Sequence, residues 1–201
     1  MSTNHAMSIG TIGAGEVAQT IARRAIDSGH HVILSNSRGP ESLTDIVAQL
    51  GAGASAGTVA EAAGADIVLL AVKWDQVPEA VRGVSDWSGR IVIDATNQWD
   101  FVRDAPLDLG DQTGTERNAA LMPGARVVKA FNTLNARVIA QNPSSRLVVF
   151  LAGHDADAKS TVSTFVDSME FAPVDIGGVR EGRLMQFATG PLNSFHLMKI
   201  A

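Results

Sequence analysis

The chain contains neither cysteine nor tyrosine among its 201 residues. The first absence excludes disulfides and thiolate metal sites. The second excludes any carbonyl-reductase centre built on a Tyr-x-x-x-Lys pair. Aromatic residues make up only 5% of the chain, and the basic residues are scattered without a run. With a formal net charge of −5, this argues against a nucleic-acid or anionic-membrane surface. No apolar run is long enough to span a bilayer. The beginning, Met1-Ser2-Thr3-Asn4-His5-Ala6, lacks the basic and apolar regions of a secretion signal and reads as a loose tail. No Gly-x-x-x-x-Gly-Lys-Ser/Thr loop occurs, and the histidines (5, 30, 31, 154 and 196) form no cluster with carboxylates at metal-ligand spacing. The expectation is a cytoplasmic protein without a metal, whose 45% hydrophobic content is ample for one core.

Glycine, by contrast, is plentiful and well placed. Ile9-Gly10-Thr11-Ile12-Gly13-Ala14-Gly15-Glu16-Val17-Ala18 reads as a strand, a glycine turn and the opening of a helix. In a dinucleotide-binding unit Gly13 makes the tight turn, Gly15 lets the backbone approach a pyrophosphate, and Ala18 lets the helix pack on the sheet. The first turn of that helix offers free N–H groups and a positive dipole end to phosphates. The next strand, His31-Val32-Ile33-Leu34, ends in Ser35-Asn36-Ser37-Arg38, and no carboxylate stands between Asp27 and Glu41. An NAD site places an acid about 20 residues past the glycines to bind the ribose hydroxyls. Hydroxyls, an amide and a guanidinium suit a 2′-phosphate instead. NADP is therefore expected over NAD, although Ser37 or Gly39 could equally cap a helix opening at Pro40.

Apolar runs without alternation, at Asp66–Val72, Arg90–Asp94, Arg126–Phe131 and Leu147–Leu151, have the character of strands covered on both faces. Helices are expected at 15–28, 40–50, 59–63, 77–84, 115–121, 136–140 and 155–169, with short strands near 54–55 and 172–176. Alternating strands and helices imply an α/β fold with a doubly wound, mostly parallel Rossmann-like sheet. The expected organisation is a tail (1–6), an NADP-binding domain (7–176) and a short C-terminal extension (177–201). That extension carries Phe187, Leu192, Phe195, Leu197, Met198 and Ile200, and would finish the core or meet a second subunit.

Ligands of such sheets bind outside the carboxyl ends of the strands. The loops there carry Ala71, Val72, Lys73 and Trp74; then Thr96 and Asn97; then Asn132 and Thr133. Trp74 could pack on the cofactor, while Thr96, Asn97 and Asn132 could hold a nicotinamide carboxamide or the acceptor. Each could equally serve as a turn or cap residue. No proton-transfer pair stands out.

Gly-Ala-Gly-Glu-Val-Ala at 13–18, Ser35-Asn36-Ser37-Arg38, Asp94-Ala95-Thr96-Asn97 and Val127-Val128-Lys129-Ala130-Phe131-Asn132-Thr133-Leu134 resemble the coenzyme F420-dependent NADP oxidoreductase family. Gly190-Pro191-Leu192 is similar to that family's late loop. The likeness runs over about residues 7–195. It implies a Rossmann domain that moves a hydride between NADP and a deazaflavin, a flavin or another small acceptor. By resemblance Ala14, Gly15, Glu16 and Val17 face the pyrophosphate, and Ser37 and Arg38 the 2′-phosphate. A non-catalytic NADP(H)-binding sensor or subunit is the alternative, and a homodimer is the usual assembly of such proteins.

Overall fold

Unbroken apolar runs become central strands, because only a segment covered on both faces can afford no polar side. A computed structural model of the protein describes residues 6–141, 146–193 and 195–199. The expected tail, apart from Ala6, and Ile200 lie outside them. Strand β1 (Ser8–Ile12) leads through α1 (Glu16–Asp27) to β2 (His31–Ser35). A 3-10 turn (Pro40–Leu43) and α2 (Thr44–Leu50) lead to β3 (Ala54–Ala56), and α3 (Val59–Ala62) to β4 (Ile67–Leu70). A 3-10 turn at Trp74–Gln76 and α4 (Val77–Val81) precede β5 (Ile91–Asp94). There follow a small hairpin, β6 (Trp99–Asp100) and β7 (Ala105–Pro106), then α5 (Gly114–Ala120) and β8 (Arg126–Lys129). The chain continues with α6 (Ala136–Ile139), β9 (Val148–Gly153), α7 (Ala156–Ser168), β10 (Ala172–Asp175) and a 3-10 turn at Glu181–Met185.

The main sheet has the order β10-β9-β8-β5-β4-β1-β2-β3. Every pairing in it is parallel except β8 with β9. The chain winds outward from β1 to β3, returns to β4 on the other side of β1, and winds outward again. That makes the doubly wound, Rossmann-like fold, with its switch point between β1 and β4. Residues alternate between layers: Ile67 and Leu69 of β4 pack in the cluster with Ile21 and Ala25 of α1, and Val68 and Leu70 pack with Val77 and Val81 of α4.

Three features depart from the reading of the sequence. The helix expected over 40–50 is split, since Pro40–Leu43 winds as a 3-10 turn and Leu43, at φ −106° and ψ 0°, breaks the α geometry before Thr44. The run 147–151 joins β8 antiparallel, a direction that its composition does not encode. The two-residue strands β6 and β7 are too short to show any periodicity. His30 lies away from the strands' carboxyl ends, where its placement before β2 puts it. It is buried, accepts from the Met7 N–H at 3.1 Å and sits 2.7 Å from Ser168 Oγ. Burial lowers its pKa.

Candidate active site

One rung of the sheet aligns the last residues of five strands. Ser35 of β2 stands opposite Ile12 of β1, Ile12 opposite Leu70 of β4, Leu70 opposite Asp94 of β5, and Asp94 opposite Lys129 of β8. The loops leaving these residues therefore share one edge. With strands about 4.8 Å apart, β1 and β8 are separated by about 14 Å along it.

At β1 the chain turns through Gly13, whose φ of +104° suits only glycine. A Cβ there would also run into the Ala71 carbonyl and the Val72 side chain, so the loops after β1 and β4 touch across the switch point. Gly15 is different. It caps α1 in an extended conformation with no side-chain cap bond, and a Cβ on it would meet nothing within 4 Å among the described residues. A backbone bare on its outer face, beside the first-turn N–H groups that a helix leaves without an intrahelical partner, is a cradle that fits a pyrophosphate. The Gln19 amide donates to the Ala14 carbonyl at 2.7 Å and fixes the loop from behind. Val17 is half-buried, and Glu16 lies exposed in the first turn of α1.

Beyond β2, Asn36 builds the loop. Its Oδ1 accepts from the Arg38 N–H at 2.9 Å, and its Nδ2 donates to Ser42 Oγ at 2.9 Å. Ser37 and Arg38 are exposed at the rim, and Arg38 forms no ion pair among the described residues. Across the switch point Ala71 and Val72 are half-buried and Lys73 is exposed, with Nζ 4.6 Å from the centre of the Phe101 ring at the hairpin tip. The Trp74 indole N–H is buried and has no hydrogen-bond partner among the described residues, close to Gly114.

The β5–β8 side holds a polar cluster that motif spacing does not reveal. Asp94 is fully buried. Its Oδ1 accepts from the Thr96 N–H (3.0 Å) and Thr96 Oγ1 (2.7 Å). Its Oδ2 accepts from Thr115 Oγ1 (2.7 Å) and Asn118 Nδ2 (3.3 Å), which project from one face of α5 three residues apart, and Lys129 Nζ lies at 3.4 Å. Lys129 also donates to the Thr96 carbonyl. Burial by itself would raise the Asp94 pKa, but the Lys129 ammonium and the hydroxyl and N–H donors outweigh it and hold the carboxyl below its ordinary value. Burial lowers the pKa of Lys129 against the pull of Asp94. The signal in the sequence is two opposite charges, each ending an apolar strand: Ile91-Val92-Ile93-Asp94 and Arg126-Val127-Val128-Lys129.

Thr96 thus points its hydroxyl inward, towards Asp94. Asn97 and Asn132 come together: Asn97 Nδ2 donates to the Asn132 carbonyl (2.9 Å), and Asn132 Nδ2 donates to Asn97 Oδ1 (3.1 Å) and to the Met185 carbonyl (2.7 Å). Phe131, at φ 63°, makes the left-handed turn that brings Asn132 back over the strand end. Two adjoining hollows open beside these asparagines. The inner, narrow one is lined by Asn97, Gln98, Thr115, Lys129 and Gln186 among others. The outer one, of about 350 Å³, lies between the 106–112 segment and Arg183, Gln186 and Thr189, and shares Gln98 and Gln186 with the first. Packing of Trp99 against Phe187, ring centres 4.9 Å apart, joins the hairpin to the C-terminal segment.

Among the described residues no helix is long and apolar enough to cross a membrane, and no group of histidine and carboxylate side chains could hold a metal ion.

Comparison with known proteins agrees with this geometry. A family model described as NADP oxidoreductase, coenzyme F420-dependent, matches residues 8–98, from β1 through the Asp94–Gln98 loop. The structure of a hypothetical protein from Sinorhizobium meliloti is 40% identical and superposes with a TM-score of 0.90, covering 99% of this chain and 98% of that one. A protein of Arthrobacter sp. FB24, provisionally assigned as an F420-dependent NADP-reductase, is 27% identical with a TM-score of 0.77, over 88% and 87% of the two chains. Metalloreductase STEAP3 of Rattus norvegicus is 28% identical over 177 residues, 87% of this chain and 35% of that protein. The chain thus spans about a third of the length of the metalloreductases it matches. Strand order, glycine cradle and matching residues converge: residues 8–98, which hold the cradle and the Asp94–Gln98 loop, are similar to the coenzyme F420-dependent NADP oxidoreductase family.

Proposed function

We propose that the protein moves reducing equivalents between NADP(H) and a small acceptor with a flat conjugated ring, such as F420 or a flavin. In this reading Gly13, Ala14, Gly15, Glu16 and Val17 flank the pyrophosphate, with the backbone and the α1 N-terminus doing the binding. Asn36 shapes the loop from which Ser37 and Arg38 reach the 2′-phosphate. Ala71, Val72 and Lys73 line the switch point, and Thr96, Asn97 and Asn132 border the nicotinamide end. When bound, the cofactor supplies the hydride, which is chemistry that resides in the cofactor and not in the protein. The chain's own part is to hold, orient and shield.

The observation that carries the reading is the alignment of the cradle and the two-part hollow along one rung of the sheet. A ligand bound at Gly15 and extending across β4 and β5 ends beside Asn97 and Gln98, where an acceptor has room. The test mixes the protein with NADPH and, in turn, oxidised F420, FMN, FAD and ferric citrate, and follows nicotinamide absorbance. The expected result is oxidation of NADPH by at least one ring acceptor, faster than any oxidation of NADH. Tight NADPH binding with no turnover on the whole panel would instead make the protein a sensor or one subunit of a larger reductase.

A further inference from the structure

The Asp94–Lys129 pair has no part in binding a dinucleotide as described above. The fold does not require it either, since the other members of the same rung, Ser35, Ile12 and Leu70, are uncharged. A buried ion pair is often no more stable than an apolar pair of similar volume. This one is also lopsided. Asp94 has donors from Thr96, Thr115 and Asn118 besides the lysine, whereas Lys129 has three N–H bonds and, among the described residues, two acceptors. The side chain of Lys129 is 8% exposed, and it lines the inner hollow that Gln98 and Gln186 continue into the outer one. One ammonium N–H is therefore left over at the closed end of a cleft, two strands, or about 10 Å, beyond the switch-point strand β4.

We infer that Lys129 is the cation that meets the acceptor: it pairs with the acceptor atom on which negative charge collects, and gives that atom a proton. The inference rests on the oxidoreductase reading of the site. Reduction delivers two electrons and one proton together, so a conjugated acceptor is left one proton short. An N–H bond of Lys129 breaks, its electron pair stays on nitrogen, and the proton bonds to the acceptor's oxygen or nitrogen. The neutral amine recovers a proton from water through the outer hollow. The sum is NADPH, one proton and acceptor giving NADP⁺ and the doubly reduced acceptor. Asp94 holds the amine in place and, as the fixed anion, keeps it protonated between turnovers.

Among the described residues that line the inner hollow, Lys129 is the ionisable one. On β5 the ionisable neighbour is Asp94, and α5 presents the uncharged Thr115 and Asn118. Of the charged residues on α5 and the 181–185 turn, Glu116 faces Arg180 at 3.8 Å, and Arg183, which lines the outer hollow and donates to the Asp111 carbonyl, is a guanidinium that keeps its proton. From that turn Gly182 packs near the aliphatic stem of Lys129, and from β9 Ala152 stands opposite it. Burial lowers the lysine's pKa from its ordinary value against the pull of Asp94, the direction that suits a general acid.

The experiment compares wild type with Lys129→Met and with the double variant Asp94→Asn/Lys129→Met, in which the carboxylate is not left buried and unpaired. Three quantities are measured: NADPH affinity, the pH profile of ring-acceptor reduction, and the ammonium NMR signal of Lys129 titrated with F420 and with FMN. Expected are NADPH affinities within about threefold of wild type and reduction slower by about 10²-fold or more. The alkaline fall of the wild-type profile should be absent from the variants, and the Lys129 signal should shift on adding the acceptor that turns over. Variants that fold, reduce at the wild-type rate and keep the same profile would overturn the inference, as would a Lys129 signal indifferent to that acceptor. If neither variant folds, the wild-type NMR titration decides. Inertness of wild type towards every ring acceptor would sink the reading beneath it instead.

Discussion

On the β1–β2 side of the switch point the candidate site is made of backbone and exposed side chains; on the β5–β8 side it is made of buried ones. Gly13 and Gly15 act through conformation and bareness, and Ser37 and Arg38 stand in solvent at the rim. Asp94 and Lys129 are sealed among Thr96, Thr115 and Asn118. A phosphate arrives with its own charge and needs only donors that are already solvated. Charge that develops during a reaction needs donors fixed in advance, where water cannot screen them. The two sides are thus suited to different tasks, and substitutions on each should fail in different ways.

The largest expected effect is on the buried side. Asp94→Ala leaves Lys129 in the core without its anion, and should destabilise the fold by about 3–5 kcal/mol in urea denaturation. Because the folded-state pKa of Asp94 lies below its ordinary value, its contribution is complete above the ordinary carboxylate range. It is lost as pH falls through and below that range. An Asp94→Ala variant as stable as wild type would show that Lys129 is not held as a buried cation against Asp94.

Next come the two glycines of the cradle, which separate folding from binding within three residues. Gly13→Ala forces a side chain into a left-handed conformation and against the Ala71 carbonyl, and should cost roughly 2–4 kcal/mol of stability. Gly15→Ala places its methyl in open space and should leave the melting temperature unchanged. Its effect should be on NADPH, with affinity lower by about tenfold or more, as expected where a backbone must lie against phosphate. Titration calorimetry together with thermal melts tells the two apart. Equal melts for both variants would remove the distinction.

Arg38 tests the exposed side by charge. Arg38→Ala should weaken NADPH binding by about 1.5–3 kcal/mol, the scale of a charge-assisted hydrogen bond, and leave NADH nearly unchanged. Stability should not move, since Arg38 makes no ion pair among the described residues. Equal losses for both cofactors would dissociate Arg38 from the 2′-phosphate.

The same contrast explains what could be read from the sequence. The cradle and the rim lie within one stretch, Gly13 to Arg38, so spacing alone displays them. The apolar strands show themselves because burial on both faces removes polar residues from the run. Asp94's partners Thr115, Asn118 and Lys129 are 21, 24 and 35 residues away, and only the sheet order makes them neighbours. Thr96 and Asn97 stand out by their place after a strand, but that place does not tell that one turns inward and the other towards Asn132. The antiparallel course of β9 was hidden for a similar reason, since strand character carries no direction.

The smallest effect comes from an ion pair at the far edge of the sheet, and it serves as the control for both sides. Arg126 opens β8 and grips Asp155 with two bonds, Nε to Oδ2 at 2.9 Å and Nη2 to Oδ1 at 2.6 Å. Asp155 also caps α7, accepting from the Ala158 N–H at 2.7 Å. The Arg126 guanidinium first, and the helix N–H second, hold the Asp155 carboxyl down at about 2, against an ordinary value of 3.8. Any stability this gives is complete above about pH 4 and lost as pH falls from there towards 2. Both side chains are partly solvated, so screening keeps the contribution small. Carbon NMR of the carboxyl group should show Asp155 titrating near 2 in wild type. In Arg126→Gln it should titrate higher but still short of 3.8, because the cap bond remains. NADPH binding should be the same in both proteins, because Arg126 opens β8 and Asp155 caps α7 at the edge opposite the rung of Ser35, Ile12, Leu70, Asp94 and Lys129. A change in cofactor affinity here would mean that the two edges are coupled through β8, and that Lys129 is reached from both ends of its strand.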